Sequence, residues 1–408
     1  MTARVLPDVT PAVPRIAMIL PAYLPESFGG AEQQTRRLAQ RLARRGVAVT
    51  LLAPRLERGT PAREREGPVV VRRFRLRAAP NLGGRHIDSF LWWCVCICAW
   101  LWRNRRAYDV IYVVHGRLHA FPAAIAGTWL GKPVVVKPGR GGEAHFDLSV
   151  VRRKRLLGSL FARGIARNTT AWVANSEAIA ADLAHWGVPR ERVHAIPNGI
   201  DIPGEVGQQP KNGVVHFLSM GRLDREKAVD QTIRAFAALP ADTPACLTIL
   251  GDGPCRAELE ALSRRLRQEK RIVFTGAVAD VTPYLREADV YLSTSVSEGM
   301  SNALLEAMSH AVMPVVSRVS GVADVVHEDV SGLIFPPGDE TTLARRLQEA
   351  LTMPAELRRA KGNAARAAIR ARFALHEVAD RHLGLYRSLT DGDTCASQRH
   401  GGGGSFER

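Results

Sequence analysis

Lysine is nearly missing from this chain: of 56 basic residues, seven are lysine and 49 arginine. Cysteine is also scarce. The six cysteines form no C-x-x-C and no Cys/His pair at zinc spacing; Cys94, Cys96 and Cys98 merely alternate, and Cys246 and Cys255 fall at core or loop positions. That excludes a disulfide scaffold or zinc module and suits a reducing, cytosolic compartment. No G-x-G-x-x-G occurs and no acidic residue ends the second strand, which disfavours dinucleotide binding. Residues 1–14 lack the apolar core of a signal peptide. The net charge is +16, yet no nucleic-acid recognition module is visible, and the arginine excess is spread along an alanine-rich chain, which reflects genome composition in part. No nucleic-acid partner is expected. A basic surface still favours anionic partners: a nucleotide donor, acidic lipid or a polyanionic acceptor.

Long hydrophobic runs are missing too. The most apolar stretch, residues 90–102, falls short of the roughly 20 residues that span a bilayer. It is apolar on every face, which fits a fully buried helix. Its tryptophans and the following Arg103, Arg105 and Arg106 fit the rival reading, a helix lying in a membrane interface. Residues 150–167 form a basic amphipathic stretch suited to the same surface.

What is present is length and alternation. With 408 residues, 46% of them hydrophobic, the chain can bury two ordinary cores. Residues 15–20, a Gly29-Gly30-Ala31 turn, a helix to about residue 45 and a strand at 47–53 make a β–turn–α–β unit, the start of a doubly wound sheet. Strands are predicted at 69–74, 110–114, 133–137, 170–175 and 193–197. Residues 198–213, with Gly, Pro, Gln and Asn and few apolar side chains, mark an interdomain linker. The pattern then restarts, with strands at 214–219, 245–250, 271–275, 290–293 and 314–317. Helices follow at 343–351 and 354–389, then a glycine-rich tail at 391–408 expected to be disordered. Asp391-Gly392-Asp393 imitates a metal-binding D-x-D but lies in that tail, a chance match. Two such domains enclose a cleft between their strand carboxyl ends, where ligands of these sheets bind.

The chain is organised around residues 293–308, S-T-S-V-S-E-G-M-S-N-A-L-L-E-A-M. Gly299 allows a tight turn and Ser301 suits an N-cap, so free N–H groups and the positive end of a helix dipole face whatever lies beyond the strand. That place suits a phosphate. Glu298 and Glu306 bracket it and can reach sideways to sugar hydroxyls. Arg222 and Lys227, after a neighbouring strand, would stabilise charge growing on a leaving pyrophosphate.

Together, G-R-L-D-R-E-K at 221–227, L-G-D-G-P at 250–254, the 298–308 motif, G-L-I-F-P-P-G-D at 332–339, P-N-G-I-D at 197–201 and the early Gly-Gly resemble the retaining glycosyltransferases of family four. The likeness is strong over 214–339 and looser before it. It implies the α/β GT-B fold: an acceptor domain over 1–200, a donor domain over 201–372, and a helix at about 373–390 packing back on the first domain. It implies that Arg222 and Lys227 hold the donor diphosphate, Glu306 the ribose and Glu298 the transferred sugar. Backbone N–H groups from Gly299, Met300, Ser301, Asn302 and Ala303 would touch sugar or phosphate, with Gly30 closing from the first domain. It implies metal-independent chemistry, with front-face attack and the leaving phosphate helping to deprotonate the acceptor. Many members carry a histidine where this chain has Lys137-Pro138, so His115, Lys137 and Glu143 all stay open for the first-domain polar role. Ala228 stands where glycine is usual.

The expected function is therefore transfer of a hexose from a UDP- or GDP-linked donor to a saccharide or lipid-linked acceptor, in cell-surface polysaccharide or glycolipid assembly. The expected location is cytoplasmic, including the inner face of the cytoplasmic membrane. The alternatives are a nucleotide-sugar epimerase of the same fold, whose extra acid/base cluster is not seen, and a non-catalytic sugar-nucleotide-binding scaffold.

Overall fold

A computed structural model describes residues 13–27, 29–80, 86–142, 145–154, 157–204, 206 and 213–391. Glu143 and nearly all of the glycine-rich tail lie outside the described residues.

Among the described residues the first sheet has eight strands: β1 (Ile16–Ile19), β2 (Val49–Arg55), β3 (Arg63–Glu66), β4 (Val69–Arg75), β5 (Val110–Val114), β6 (Val134–Lys137), β7 (Ala171–Ala174) and β8 (Val193–Ala195). Their order is β3-β4-β2-β1-β5-β6-β7-β8, parallel except for β3. The second sheet, all parallel, has six among the described residues: β9 (Val215–Met220), β10 (Ala245–Leu250), β11 (Ile272–Gly276), β12 (Val290–Ser293), β13 (Met313–Ser317) and β14 (Leu333–Phe335), in the order β11-β10-β9-β12-β13-β14. The central strands β1, β5 and β13 are buried throughout, because helices cover both faces of each sheet, and they read as apolar runs for that reason.

Strand order reverses between β1 and β5 in one sheet and between β9 and β12 in the other. Such reversal points splay the following loops apart and leave a crevice at the strands' carboxyl ends. The loops after β1, β9 and β12 are the ones that carry Gly30, Arg222–Lys227 and Glu298–Ala303. The site is placed by strand order.

The domains join where the chain crosses twice. Ile200 donates its N–H to Phe373 and accepts one from Leu375, making a one-residue bridge between outgoing and returning segments. The helix Leu375–Thr390 then sinks Val378, Ala379, Leu383 and Tyr386 into the core around β1, so the last helix of the described residues belongs to the first sheet.

Four expectations need correction. The helix Ile87–Arg103 is not fully buried: Phe90, Trp93, Ile97 and Leu101 face the core, whereas Leu91, Trp92, Val95 and Trp102 are each more than half exposed. Among the described residues, only its core-facing side packs against a partner. The continuous helix expected over 354–389 is broken at Phe373-Ala374, where the chain passes between domains. The strand Arg63–Glu66 escaped sequence reading because all four residues are charged; it sits at the sheet edge against β4. Finally, the start of the 198–213 linker is not loose, since Asn198 is buried between the domains. Among the described residues no helix is long and apolar enough to cross a membrane.

Candidate active site

On the second-domain side, the loop leaving β9 is pinned to the loop leaving β12. Asp224 Oδ1 accepts from the backbone N–H of Glu226 (3.1 Å) and of Lys227 (3.2 Å). Val296 donates its N–H to the Glu226 carbonyl at 2.9 Å, and the Thr294 hydroxyl lies 2.9 Å from the carbonyls of both Lys227 and Ala228. Ala228 is left-handed, with φ of 45°, a conformation glycine adopts more readily. These contacts aim Lys227 across the crevice, where Nζ meets Glu298 Oε1 directly. The Ser295 hydroxyl donates to the same carboxylate oxygen at 2.9 Å. Arg222 is 73% exposed at the crevice rim, 3.9 Å from Asp224, and can swing toward a ligand.

Beyond β12, Ser301 caps the helix Asn302–Ser309 by accepting from Leu304 N–H at 3.4 Å. The first N–H groups of this helix point out of its end unpaired by its own turns. Gly299, just before it, touches the first domain: a Cβ there would lie 2.4 Å from the Gly139 carbonyl oxygen.

The first domain meets this surface through polar contacts. The Gly30 carbonyl opens the helix Gly30–Arg44 and accepts from Asn302 Nδ2 at 2.7 Å. Two turns on, Arg37 pairs with Glu306 at 2.5 Å. Arg140 pairs with Glu226 at 2.6 Å. Asn198 donates from Nδ2 to Asn302 Oδ1 at 2.8 Å, and its own Oδ1 accepts from Lys137 Nζ at 2.6 Å.

The candidates from the sequence thus divide. Lys227, Glu298, Gly299, Ser301, Asn302 and Gly30 converge on one crevice, with Arg222 at its rim. Met300 is buried and offers only its backbone, and Ala303 lies in the first helical turn. Glu306 is present but held by Arg37. Lys137 faces Asn198 rather than the open crevice, and burial pushes its ammonium down to about 8. His115, at φ 66°, packs beneath Gly139, with Nδ1 3.7 Å from Asp147 Oδ2, too long for a hydrogen bond. Burial pushes the Asp147 carboxyl up, but His115, Arg117 and the Gly139 N–H outweigh it and hold the group well below the usual carboxylate range. Asp147 therefore acts as an ionised brace, accepting from Gly116 and Gly139 N–H and Arg117 Nε, each at 2.9 Å.

Sequence reasoning missed Arg37, Asn198, Arg140 and Asp147 as site residues. Arg37 lies seven residues after Gly30 and so on its helical face, which was a readable signal. Asn198 stood inside a noted motif, but nothing local to it revealed burial between domains.

The chain matches two family profiles side by side, Glycosyltransferase Family 4 over residues 28–202 and Glycosyl transferases group 1 over residues 206–368. It is 24% identical to N-acetyl-alpha-D-glucosaminyl L-malate synthase of Bacillus anthracis over 71% of this chain and 77% of that protein. Among solved structures it superposes on sucrose-phosphate synthase from Thermosynechococcus elongatus with a TM-score of 0.77, at 20% identity, covering 93% of this chain and 100% of the other. It superposes on Anabaena HepE in complex with UDP and glucose with a TM-score of 0.72, at 19% identity, covering 92% and 100%. These likenesses fix the fold as GT-B, and with both halves matched in order the chain belongs to the group 1, family 4 glycosyltransferases.

Proposed function

We propose that this glycosyltransferase moves a hexose from a UDP- or GDP-linked donor to a saccharide or lipid-linked acceptor, with retention of anomeric configuration, in the assembly of cell-surface polysaccharide or glycolipid. One observation carries the reading: Lys227, Glu298 and the capped amino end of the Asn302–Ser309 helix meet in one crevice opposite the Gly30 turn. The likeness to HepE, whose structure holds UDP and glucose, supports the donor class.

In this reading the donor diphosphate lies against the helix N-terminus, with Lys227 and Arg222 on its oxygens and the ribose hydroxyls on Glu306. Glu298 accepts from hydroxyls of the transferred sugar. The acceptor hydroxyl attacks C1 from the face the phosphate leaves: its oxygen–C1 bond forms, the C1–O bond to phosphate breaks, and a phosphate oxygen takes the acceptor proton. Negative charge grows on the β-phosphate as that bond lengthens, and preorganised cations and N–H groups stabilise it most there. Lys227 and Arg222 take the part a divalent ion plays elsewhere, so turnover is proposed to be metal-independent. Lys227 must share its charge between Glu298 and the phosphate. The pairing seen here keeps that cation aimed before donor arrives.

The exposed apolar stripe on the Ile87–Arg103 helix supports attachment to the inner face of the cytoplasmic membrane. Leu91, Trp92, Val95 and Trp102 are flanked by exposed Arg103, Arg105 and Arg106. Aromatic and basic side chains together favour an anionic bilayer surface.

A thermal-shift series with UDP, GDP, ADP and their hexose conjugates, with and without metal, tests the donor site. Ligand at about a hundredfold its dissociation constant adds roughly 2.7 kcal/mol of stability. A shift with UDP or GDP but not ADP, unchanged by chelator, is expected; no shift with any of them sinks the donor assignment. NMR of the product made from an α-linked donor then reads retention directly.

A further inference from the structure

We propose that Lys137 is a positioning residue: its ammonium orients Asn198, and through Asn198 and Asn302 holds the Gly30 turn and the donor helix in the closed arrangement. This rests on the donor reading above and adds to it the group that sets domain closure.

The chain of contacts is continuous. Lys137 Nζ donates to Asn198 Oδ1 at 2.6 Å, and Asn175 Nδ2 donates to the same oxygen at 3.3 Å. Asn198 Nδ2 therefore points the other way, to Asn302 Oδ1 at 2.8 Å and the Met300 carbonyl at 3.4 Å. Asn302 Nδ2 in turn donates to the Gly30 carbonyl at 2.7 Å. An amide side chain can flip to present either end. An ammonium has donors only, so it forbids the flipped state, in which Asn198 Nδ2 would face it. The donor-only ammonium at one end and the acceptor-only carbonyls of Met300 and Gly30 at the other agree on one orientation for both amides.

That charge is an odd choice for a core side chain. Lys137 is buried at the end of β6, and among the described residues no carboxylate lies within ion-pair distance of it. A nearby titratable group is His382 on the helix Leu375–Thr390, which burial and the Lys137 charge push down to about 3, so it is neutral at physiological pH. A buried unpaired cation destabilises a fold, and methionine of similar length would not. What the cation supplies and methionine cannot is a charged donor that holds the Asn198 oxygen and keeps its amide from flipping. The far end of the amide chain is the carbonyl of the first-domain turn and the first residue of the second-domain donor helix, the two surfaces that must close on a nucleotide sugar.

The test measures donor KM, kcat and melting temperature for Lys137→Met, Asn302→Ala and the double variant. Lys137→Met is expected to raise donor KM about tenfold, because the closed state becomes one of several, while saturating donor restores most of kcat. Its melting temperature should hold or rise. In the Asn302→Ala background the same change should do little, since the chain is already cut. Asn198→Asp serves if Lys137→Met does not fold. It keeps an oxygen for Lys137 but removes the donor to Asn302, and it should reproduce the KM rise. An unchanged KM in Lys137→Met, or fully multiplicative effects in the double variant, overturns the proposal while wild-type turnover leaves the donor reading standing. A wild type with neither nucleotide-dependent shift nor turnover sinks both.

Discussion

Arg37 and Glu306 form an ion pair across the cleft at 2.5 Å, one from the first-domain helix that starts at Gly30 and the other from the second-domain helix Asn302–Ser309. The carboxylate expected to hold a ribose is therefore also a latch between domains. Both side chains are partly exposed, at 30% and 17%, so the pair is screened and weak as a fastener. Its value lies in orientation. Arg37 occupies Oε1 and aims the carboxylate, leaving lone pairs for hydroxyl donors.

Glu306→Ala should therefore weaken nucleotide binding by about ten- to a hundredfold, the usual range for losing hydrogen bonds to a charged group. Arg37→Ala should cost less than tenfold, and its effect should shrink in high salt. Isothermal titration with UDP and GDP at two salt concentrations reads both. Equal losses in the two variants would contradict the division of roles.

Lys227→Ala and Glu298→Ala should each lower kcat by about a hundredfold or more, as removal of a preorganised transition-state contact does. Folding should persist, because the backbone around Lys227 is held by Asp224 and Thr294 rather than by its side chain. Circular dichroism and steady-state kinetics on the same samples check this. Full activity in either variant would remove that residue from the reaction.

Acid should destabilise the fold earlier than carboxylate titration explains. Burial pushes His119 and His382 from 6.5 down to about 3 in the folded protein. Between those values the unfolded chain binds protons that the folded chain refuses. Stability is thus full above about pH 6.5 and falls as pH drops toward 3, by up to about 1.4 kcal/mol per pH unit for each buried histidine. Asp147, held low, adds its own loss only further down, below the ordinary aspartate range. Urea midpoints measured from pH 8 to pH 5 should begin to decline near 6.5; a flat profile would mean both imidazoles titrate normally.

Binding to lipid should depend on the apolar stripe and on charge together. Trp92→Ser with Val95→Ser should abolish most sedimentation with vesicles containing anionic phospholipid while leaving nucleotide binding unchanged, because both side chains lie on the exposed helix face. Wild-type binding should fall in high salt and be weak on neutral vesicles. Sedimentation unaffected by the two changes would assign any membrane contact elsewhere.

Much was legible in the chain itself. The Val-rich strands announced a buried parallel sheet, because covering both faces leaves no polar alternation. Spacing within 221–227 and 298–308 marked cations, carboxylates and a helix start, because those depend on neighbours in sequence. Burial and partnership across the cleft did not show. Lys137 looked like a candidate for the sugar and proved to be tied to Asn198, 61 residues away. The helix Ile87–Arg103 looked apolar all round, yet only packing decides which face is covered. Strand order brought the loops after β1, β9 and β12 together, and order is set by how helices and sheets stack, not by any local run of residues. The sequence by itself determined the elements and their chemistry; the tertiary structure decided which charges meet, because contacts between residues 37 and 306, or 137 and 198, exist only once two separate cores have folded and docked.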